Sequence, residues 1–141
     1  MVEKEDPAVS LGSVPLFSSL SKSQLRTIAR TGSERHYKPG ESIVKDGDRG
    51  IGFFLIVDGQ ANIEKNGKTV ANLGPRQFFG EMALFDDQPR TADVRASSAT
   101  TCLVLSAWEF WGSVGREPEV LRILLKETVR RLRSGKPGLS E

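Results

Sequence analysis

The sequence contains few of the residues that bind metals or form disulfides. It has one histidine, His36, and one cysteine, Cys102, among 141 residues. A single histidine excludes a metal site built from a histidine cluster, and a single cysteine excludes an internal disulfide. Cys102 lies in the apolar run TTCLVLS, which indicates a buried thiol. The cysteine usage fits a reducing compartment, so we expect a cytoplasmic protein.

Other absences narrow the class of protein. No apolar run approaches the length of a membrane span, and the first ten residues, MVEKEDPAVS, are unlike a signal peptide. The formal net charge is +2, so bulk charge gives no argument for nucleic acid binding. No glycine-rich Walker loop is present, which argues against a triphosphate site. The 14 glycines and 7 prolines predict many tight turns, and hence more strands than helices.

The N-terminal part predicts a lead-in followed by a helix. Residues 1–13 are interpreted as a loose lead-in, and residues 15–32 as an N-terminal helical segment. Ser21 and Gln24 have the spacing of a capping box, in which each side chain bonds the other residue's backbone N–H group. Gly32 is predicted to end this helix. The whole chain, residues 1–141, is predicted to be a single domain.

The C-terminal part, residues 107–133, also predicts helices. Ser106 and Glu109 have the spacing of a second capping box, and Pro118 suits the first turn of a longer helix. Leucines recur along that helix at helical spacing. Three arginines fall in its last turn, where they interact favourably with the helix dipole, and Gly135 is predicted to end it.

Between these ends, residues 35–106 contain short β-branched or aromatic runs. Turn residues close the runs at intervals of roughly eight to twelve residues, and Asn66-Gly67 predicts a type I′ hairpin. The spacing predicts a mainly β fold, a small antiparallel β-barrel or jelly roll. The predicted interior residues are Ile43, Phe54, Ile56, Ile63, Val70, Leu73, Val94, Leu103 and Leu105.

The segment FFGEMALFDDQPRTADV, residues 78–94, carries most of the candidate chemistry. Gly80 precedes one or two turns of predicted helix, whose first N–H groups would form an anion site. The Glu81 carboxylate can accept a hydrogen bond from a sugar hydroxyl. Arg90 offers a planar fork of donors for phosphate oxygens, and the Thr91 hydroxyl lies beside it. This combination predicts a site for a sugar phosphate with one compact negative charge.

The same segment resembles the phosphate-binding cassette of the cyclic nucleotide-binding domain family. The cassette corresponds to residues 79–92, and YKPGESIVKDGDRGIGFFLIVDGQA resembles the first strands of the family. The resemblance extends over residues 15–133. It implies a non-enzymatic regulatory module that binds cAMP or cGMP and needs no other cofactor or metal. It also implies that ligand occupancy is relayed through the C-terminal helix to an effector domain or protein.

Position by position, the resemblance implies a role for each cassette residue. Glu81 would accept a hydrogen bond from the ribose 2′-hydroxyl, and Arg90 would pair with the exocyclic phosphate oxygens. The backbone N–H groups of Met82 and Ala83 would face the same phosphate. Thr91 would contribute its hydroxyl to the phosphate or the base.

The resemblance also implies which residues surround the ligand. Ile63 and Val70 would lie on strands that wall the base. The predicted ligand-binding set is Ile63, Val70, Phe79, Gly80, Glu81, Met82, Ala83, Arg90, Thr91 and Ala92. Two features depart from some relatives: Ile51 stands where they have a polar residue that braces the arginine, and we expect no DNA-reading element after residue 133.

Two alternative functions stay open at this point. One is an interaction or sensor domain of the same architecture that binds another ligand or none, and Ile51 leaves room for it. The other is a cupin-type enzyme, which is disfavoured because such enzymes bind metal through several histidines. The sequence does not specify the preferred purine, the residue that caps the base, the effector, the oligomeric state, or whether a longer chain surrounds this domain.

Overall fold

The computed structural model describes residues 6–49, 52–86 and 89–135. The α-helices are α1 (Pro7–Leu11), α2 (Lys22–Thr31), α3 (Ala107–Gly112) and α4 (Pro118–Arg133). Short 3₁₀ helices occupy Pro15–Phe17, Glu81–Leu84 and Val114–Arg116. The strands are β1 (Ser33–Tyr37), β2 (Ser42–Val44), β3 (Gly52–Asp58), β4 (Ala61–Lys65), β5 (Lys68–Leu73), β6 (Phe78–Phe79), β7 (Asp93–Ala96) and β8 (Thr100–Ser106).

The strands form two antiparallel sheets that pack as a jelly-roll-like sandwich. The strand orders are β1-β8-β3-β6 and β2-β7-β4-β5. The predicted mainly β, antiparallel fold with helices at both ends is therefore confirmed. The sheets are not closed into a barrel, because in the described part of the chain no strand ladder joins one sheet to the other.

The described helices include none that is both long enough and apolar enough to span a membrane.

The core has two parts because β3 and β8 are buried on both faces. Successive side chains on a strand point to opposite faces, so each of these strands supplies both parts. The cluster between the sheets includes Phe54, Ile56, Cys102 and Val104. The cluster under the helices includes Phe53, Leu55, Leu103 and Leu105. The prediction that Leu103 and Leu105 fill the barrel interior was therefore wrong; they pack against the helices.

Val70 was also predicted as an interior residue, and the structure corrects this. The β4–β5 ladder pairs Ile63 with Ala71 and then Glu64 with Thr69, so Val70 lies in a bulge of the ladder. Val70 is 56% exposed, whereas Ala71 packs against the cluster between the sheets. The bulge shifts the alternation by one residue and brings Ala71 beside Ile63 in its place.

The predicted helix ends are confirmed, with one addition at the N-terminus. Both capping boxes are formed, by Ser21 with Gln24 and by Ser106 with Glu109. The lead-in prediction for residues 1–13 was wrong over its described part, since Pro7–Leu11 forms α1. The side chain of Asp6 caps this helix by accepting a hydrogen bond from the backbone N–H of Ala8 at 3.0 Å.

Candidate functional site

The cassette begins with a glycine turn that leads from β6 into the 3₁₀ helix at Glu81–Leu84, here called the cassette helix. Gly80 has φ 84°, a left-handed conformation that favours glycine. A Cβ atom at this position would lie 2.5 Å from Nη1 of Arg90 and would also collide with the carbonyl oxygen of Gly52. Glycine is therefore required here twice, for its backbone angle and for the close approach to the arginine.

The guanidinium of Arg90 lies inside this turn and is buried. The residue is 4% exposed, its Nη2 donates a hydrogen bond to the carbonyl oxygen of Gly52, and its Cζ lies 5.8 Å from the ring centroid of Phe54. Two backbone hydrogen bonds also fix the main chain of Arg90. Its N–H donates to the carbonyl oxygen of Asp48 at 2.7 Å, and its carbonyl oxygen accepts from the N–H of Gly47 at 2.8 Å. The turn at residues 47–48 therefore holds the backbone of Arg90 in position.

The burial of this cation has an electrostatic consequence. Loss of hydration lowers the pKa of the Arg90 guanidinium below its ordinary value, and the negative charge of Asp48 opposes the shift. An arginine stays protonated despite such a shift, so a positive charge is held in a poorly hydrated place. A bound anion would stabilise that charge, because the attraction between opposite charges is stronger where water is excluded.

The cassette helix carries the acid, Glu81, directly after the glycine that lies against the arginine. Glu81 is its first residue and is fully buried, while Met82 is exposed. A carboxylate at this end of a helix interacts favourably with the helix dipole. The N–H of Ala83 donates to the carbonyl of Gly80 at 3.0 Å within the turn, and its contact with a phosphate stays a prediction.

Apolar residues lie beside the arginine. The ring of Phe79 stacks on that of Phe54, with centroids 4.8 Å apart and planes 4° from parallel. Ile63 and Ala92 are buried in the cluster between the sheets, which also contains both rings. Thr91 is exposed, next to the buried Arg90.

The predicted ligand set therefore divides into two groups. Phe79, Ala92 and Ile63 lie in the core between the sheets, Arg90 lies beside Phe54 of that core, Gly80 lies against Arg90, and Glu81 is buried directly after Gly80 in the chain. Val70 lies on the exposed side of β5, and Thr91 and Met82 are exposed. Ile51, the predicted departure in the brace of the arginine, lies outside the described residues.

Sequence reasoning missed the backbone contact of the arginine. The carbonyl oxygen that accepts from Arg90 belongs to Gly52, the first residue of β3. A backbone carbonyl has no side-chain signature, so no residue type could have marked it. The glycine itself is a weak signal: a side chain at position 52 would collide with the backbone of β8.

A second missed feature ties the far end of the cassette helix to α3. The indole Nε1 of Trp111 donates to the carbonyl oxygen of Leu84 at 2.6 Å. The rings of Phe85 and Trp111 pack edge to face, with centroids 5.7 Å apart. The last carbonyls of a helix lack partners inside the helix, and the indole satisfies one of them.

Comparison with known proteins gives the same assignment. The profile of the family described as "Cyclic nucleotide-binding domain" matches residues 34–114. The chain is 43% identical over 84 residues to a cGMP-dependent protein kinase of Toxoplasma gondii, covering 60% of this chain and 8% of the kinase. It is 34% identical over 131 residues to a cAMP-dependent protein kinase regulatory subunit of Debaryomyces hansenii, covering 92% of this chain and 27% of the subunit.

A solved structure with a similar fold is the N-terminal domain of a transcriptional regulator from Streptomyces coelicolor A3(2). The TM-score is 0.81 with 29% identity, over 89% of this chain and 92% of the other. The family profile covers more than half of this chain and includes the cassette. The chain therefore belongs to the cyclic nucleotide-binding domain family.

Proposed function

We propose that this chain binds cAMP or cGMP at the cassette and relays occupancy of the site through α4. The observation that carries the proposal is the buried guanidinium of Arg90, which lies against the turn at Gly80, the residue that precedes the buried acid Glu81 in the chain. A cation that has lost its hydration, in contact with a glycine turn, is suited to one compact anion.

The phosphate of the ligand would pair with the guanidinium of Arg90. A guanidinium can donate two parallel hydrogen bonds to two phosphate oxygens, which fixes the orientation of the ring as well as its charge. The N–H of Met82 lies in the first turn of the cassette helix, where helical amides lack partners inside the helix. We assign this amide to the phosphate, together with that of Ala83 as the sequence predicts.

The sugar and the base would contact the remaining residues of the site. Glu81 would accept a hydrogen bond from the ribose 2′-hydroxyl, which a carboxylate does well in a poorly hydrated site. Ile63 and Ala92 would contribute apolar surface to the base. Ala71, which pairs with Ile63, is proposed for the wall position that the sequence analysis gave to Val70.

The relay would begin at the end of the cassette helix. Leu84 is buried in the same cluster as Phe110 of α3 and Leu124 of α4, and Trp111 holds the carbonyl of Leu84. A movement of the cassette helix towards the phosphate would therefore change the packing of both helices. The ligand would favour the arrangement it binds more tightly, which is a shift between populations of states.

The wider role is proposed from the relatives. They are protein kinases or kinase subunits by name, and this chain spans 8% and 27% of the two compared above. We propose that the chain is a single, non-enzymatic regulatory domain acting on an effector domain or protein. The cytoplasmic location, the domain boundary at residues 1–141 and the absence of a DNA-reading element stay predictions.

Calorimetric titration with cAMP and cGMP tests the proposal. The non-cyclic nucleotides 5′-AMP and 5′-GMP serve as controls, because they carry the same bases and sugars with a larger phosphate charge. We expect at least one cyclic nucleotide to bind and its 5′-monophosphate to bind at least about tenfold more weakly. Absence of binding by both cyclic nucleotides at millimolar concentration would leave the interaction-domain alternative as the better account.

A further inference from the structure

A serine follows directly after the three arginines in the last turn of α4. Arg130, Arg131 and Arg133 stand four, three and one residues before Ser134. Ser134 is exposed and has no part in the proposed nucleotide site or in the core. Its hydroxyl donates a hydrogen bond to the carbonyl oxygen of Arg131 at 2.8 Å, at the surface of the domain. An enzyme that approaches this end of the helix can therefore reach the hydroxyl.

The last turn of α4 contributes little to the packing of the domain. Glu127 is the last buried residue of the helix, and Leu132 is 71% exposed. The turn closes through backbone hydrogen bonds from Ser134 to Arg130 at 3.1 Å and from Gly135 to Leu132 at 3.2 Å. A segment with few buried contacts and exposed backbone hydrogen bonds opens at low free energy. This turn can therefore open while the core stays folded.

We infer that Ser134 is a phosphorylation site for a serine/threonine kinase that selects arginine before the serine. Such a kinase recognises its substrate by the pattern of charge, and carboxylates beside its cleft would pair with the guanidinium groups of the arginines. In the transfer, Oγ of Ser134 forms a bond to the γ-phosphorus of MgATP, and the bond from that phosphorus to the β,γ-bridging oxygen breaks. The hydroxyl proton passes to a carboxylate of the kinase, and ADP leaves.

Two other serines of the sequence share the arginine spacing but are held within the fold. Arg30 stands three residues before Ser33, and Arg95 stands three residues before Ser98. Ser33 lies in the ladder of β1 with β8. The hydroxyl of Ser98 accepts a hydrogen bond from the backbone N–H of Gln60 at 3.0 Å. Either segment would have to break contacts with neighbouring segments to enter the cleft of a kinase, whereas the end of α4 needs only its last turn to open.

Phosphorylation would change the charge at this end of α4. The three arginines of the last turn carry three positive charges. A phosphoserine carries about −1.5 to −2 charges at pH 7, so it would offset about half or more of that charge. The phosphate would also lie at the negative end of the helix dipole.

Phosphorylation of the full 141-residue chain by a purified kinase tests the inference. The kinase is a serine/threonine kinase that selects arginine three residues before the serine, supplied with MgATP. Free peptides of residues 128–135, 27–36 and 92–101 are the references for Ser134, Ser33 and Ser98. Mass spectrometry locates the phosphate and gives the initial rate at each serine, in the chain and in its peptide. Because the peptides have the sequence without the fold, the comparison separates recognition of the arginines from access in the structure.

We expect Ser134 in the folded chain to react within about tenfold of the rate in its peptide, and Ser33 and Ser98 to react at least about a hundredfold more slowly than in theirs. Ser134→Ala should remove the phosphate from the chain. Arg131→Ala should lower the rate at Ser134 at least about tenfold, because one charged pair with the kinase is lost.

Arg122→Ala is the matched control, since Arg122 is an exposed arginine of the same helix outside its last turn. We expect it to leave the rate at Ser134 within about twofold of the wild type. All three variants change exposed or half-buried side chains, and circular dichroism checks that they fold.

Four results would overturn the inference. These are phosphate on another residue in place of Ser134, no phosphorylation of the 128–135 peptide, a rate at Ser134 that folding suppresses as strongly as those at Ser33 and Ser98, and an Arg131→Ala chain that reacts at the wild-type rate.

Discussion

Replacement of Arg90 by alanine is the perturbation with the largest expected effect on ligand binding. The guanidinium is 4% exposed, so its pairing with a phosphate would occur almost without water. Truncating one partner of such a pair costs about 2–5 kcal/mol. At about 1.4 kcal/mol for each factor of ten, the affinity for the cyclic nucleotide should fall by about 30-fold to 4,000-fold.

The same assay distinguishes charge from geometry. Arg90→Lys keeps the positive charge but loses the planar fork that pairs with two oxygens and the contact with the face of Phe54. Its affinity in calorimetric titration should therefore lie between those of the wild type and Arg90→Ala.

Arg95→Ala is the matched control for these variants. Arg95 lies on β7 and donates hydrogen bonds to the carbonyl of Gly40 at 2.8 Å and to Glu64 at 3.5 Å. It is also partly exposed and has no part in the proposed site. We expect its nucleotide affinity to stay within about threefold of the wild type. If Arg90→Ala were folded and its nucleotide affinity also stayed within about threefold of the wild type, the proposed role of the buried guanidinium would be refuted.

Three further predictions concern the surroundings of the site. Gly80→Ala should lower the free energy of unfolding by about 1–2 kcal/mol or more, because position 80 has a positive φ; urea unfolding measures this loss. The same variant should weaken nucleotide binding in calorimetry, because the added methyl group would displace the Arg90 guanidinium. Burial raises the pKa of the Cys102 thiol to about 12. The free energy of unfolding should therefore fall as the pH rises above the ordinary thiol pKa, by about 2 kcal/mol between about pH 8.5 and 10. Urea unfolding should show this loss in the wild type and not in Cys102→Ala. In a Trp108→Phe chain, whose remaining tryptophan is Trp111, nucleotide binding should change the emission spectrum, since the indole bonds the end of the cassette helix; an unchanged spectrum at saturation would contradict the relay.

Features that depend on neighbouring residues could be predicted from the sequence. The capping box at Ser21 and Gln24 needs only two side chains and the backbone between them, and it forms as expected. The turn at Asn66-Gly67 likewise has both residues at positive φ. Gly80 and Arg90 meet in the fold as the motif predicts.

Features that depend on distant segments could not be predicted in the same way. Leu103 and Leu105 face the helices that cover β8. The alternation of side chains along the strand does not say which of its two faces meets the other sheet. The exposure of Val70 follows from a bulge in the pairing of two strands. The strand Ser33–Tyr37 is largely exposed and polar, so its pairing with β8 leaves no apolar pattern.

A crystal structure of the chain with the tighter-binding cyclic nucleotide is the most direct test of the central claim. The account predicts phosphate oxygens within hydrogen-bond distance of the Arg90 guanidinium and the ribose 2′-hydroxyl against the Glu81 carboxylate. A nucleotide bound elsewhere, or bound at the cassette with Arg90 turned away from its phosphate, would contradict it.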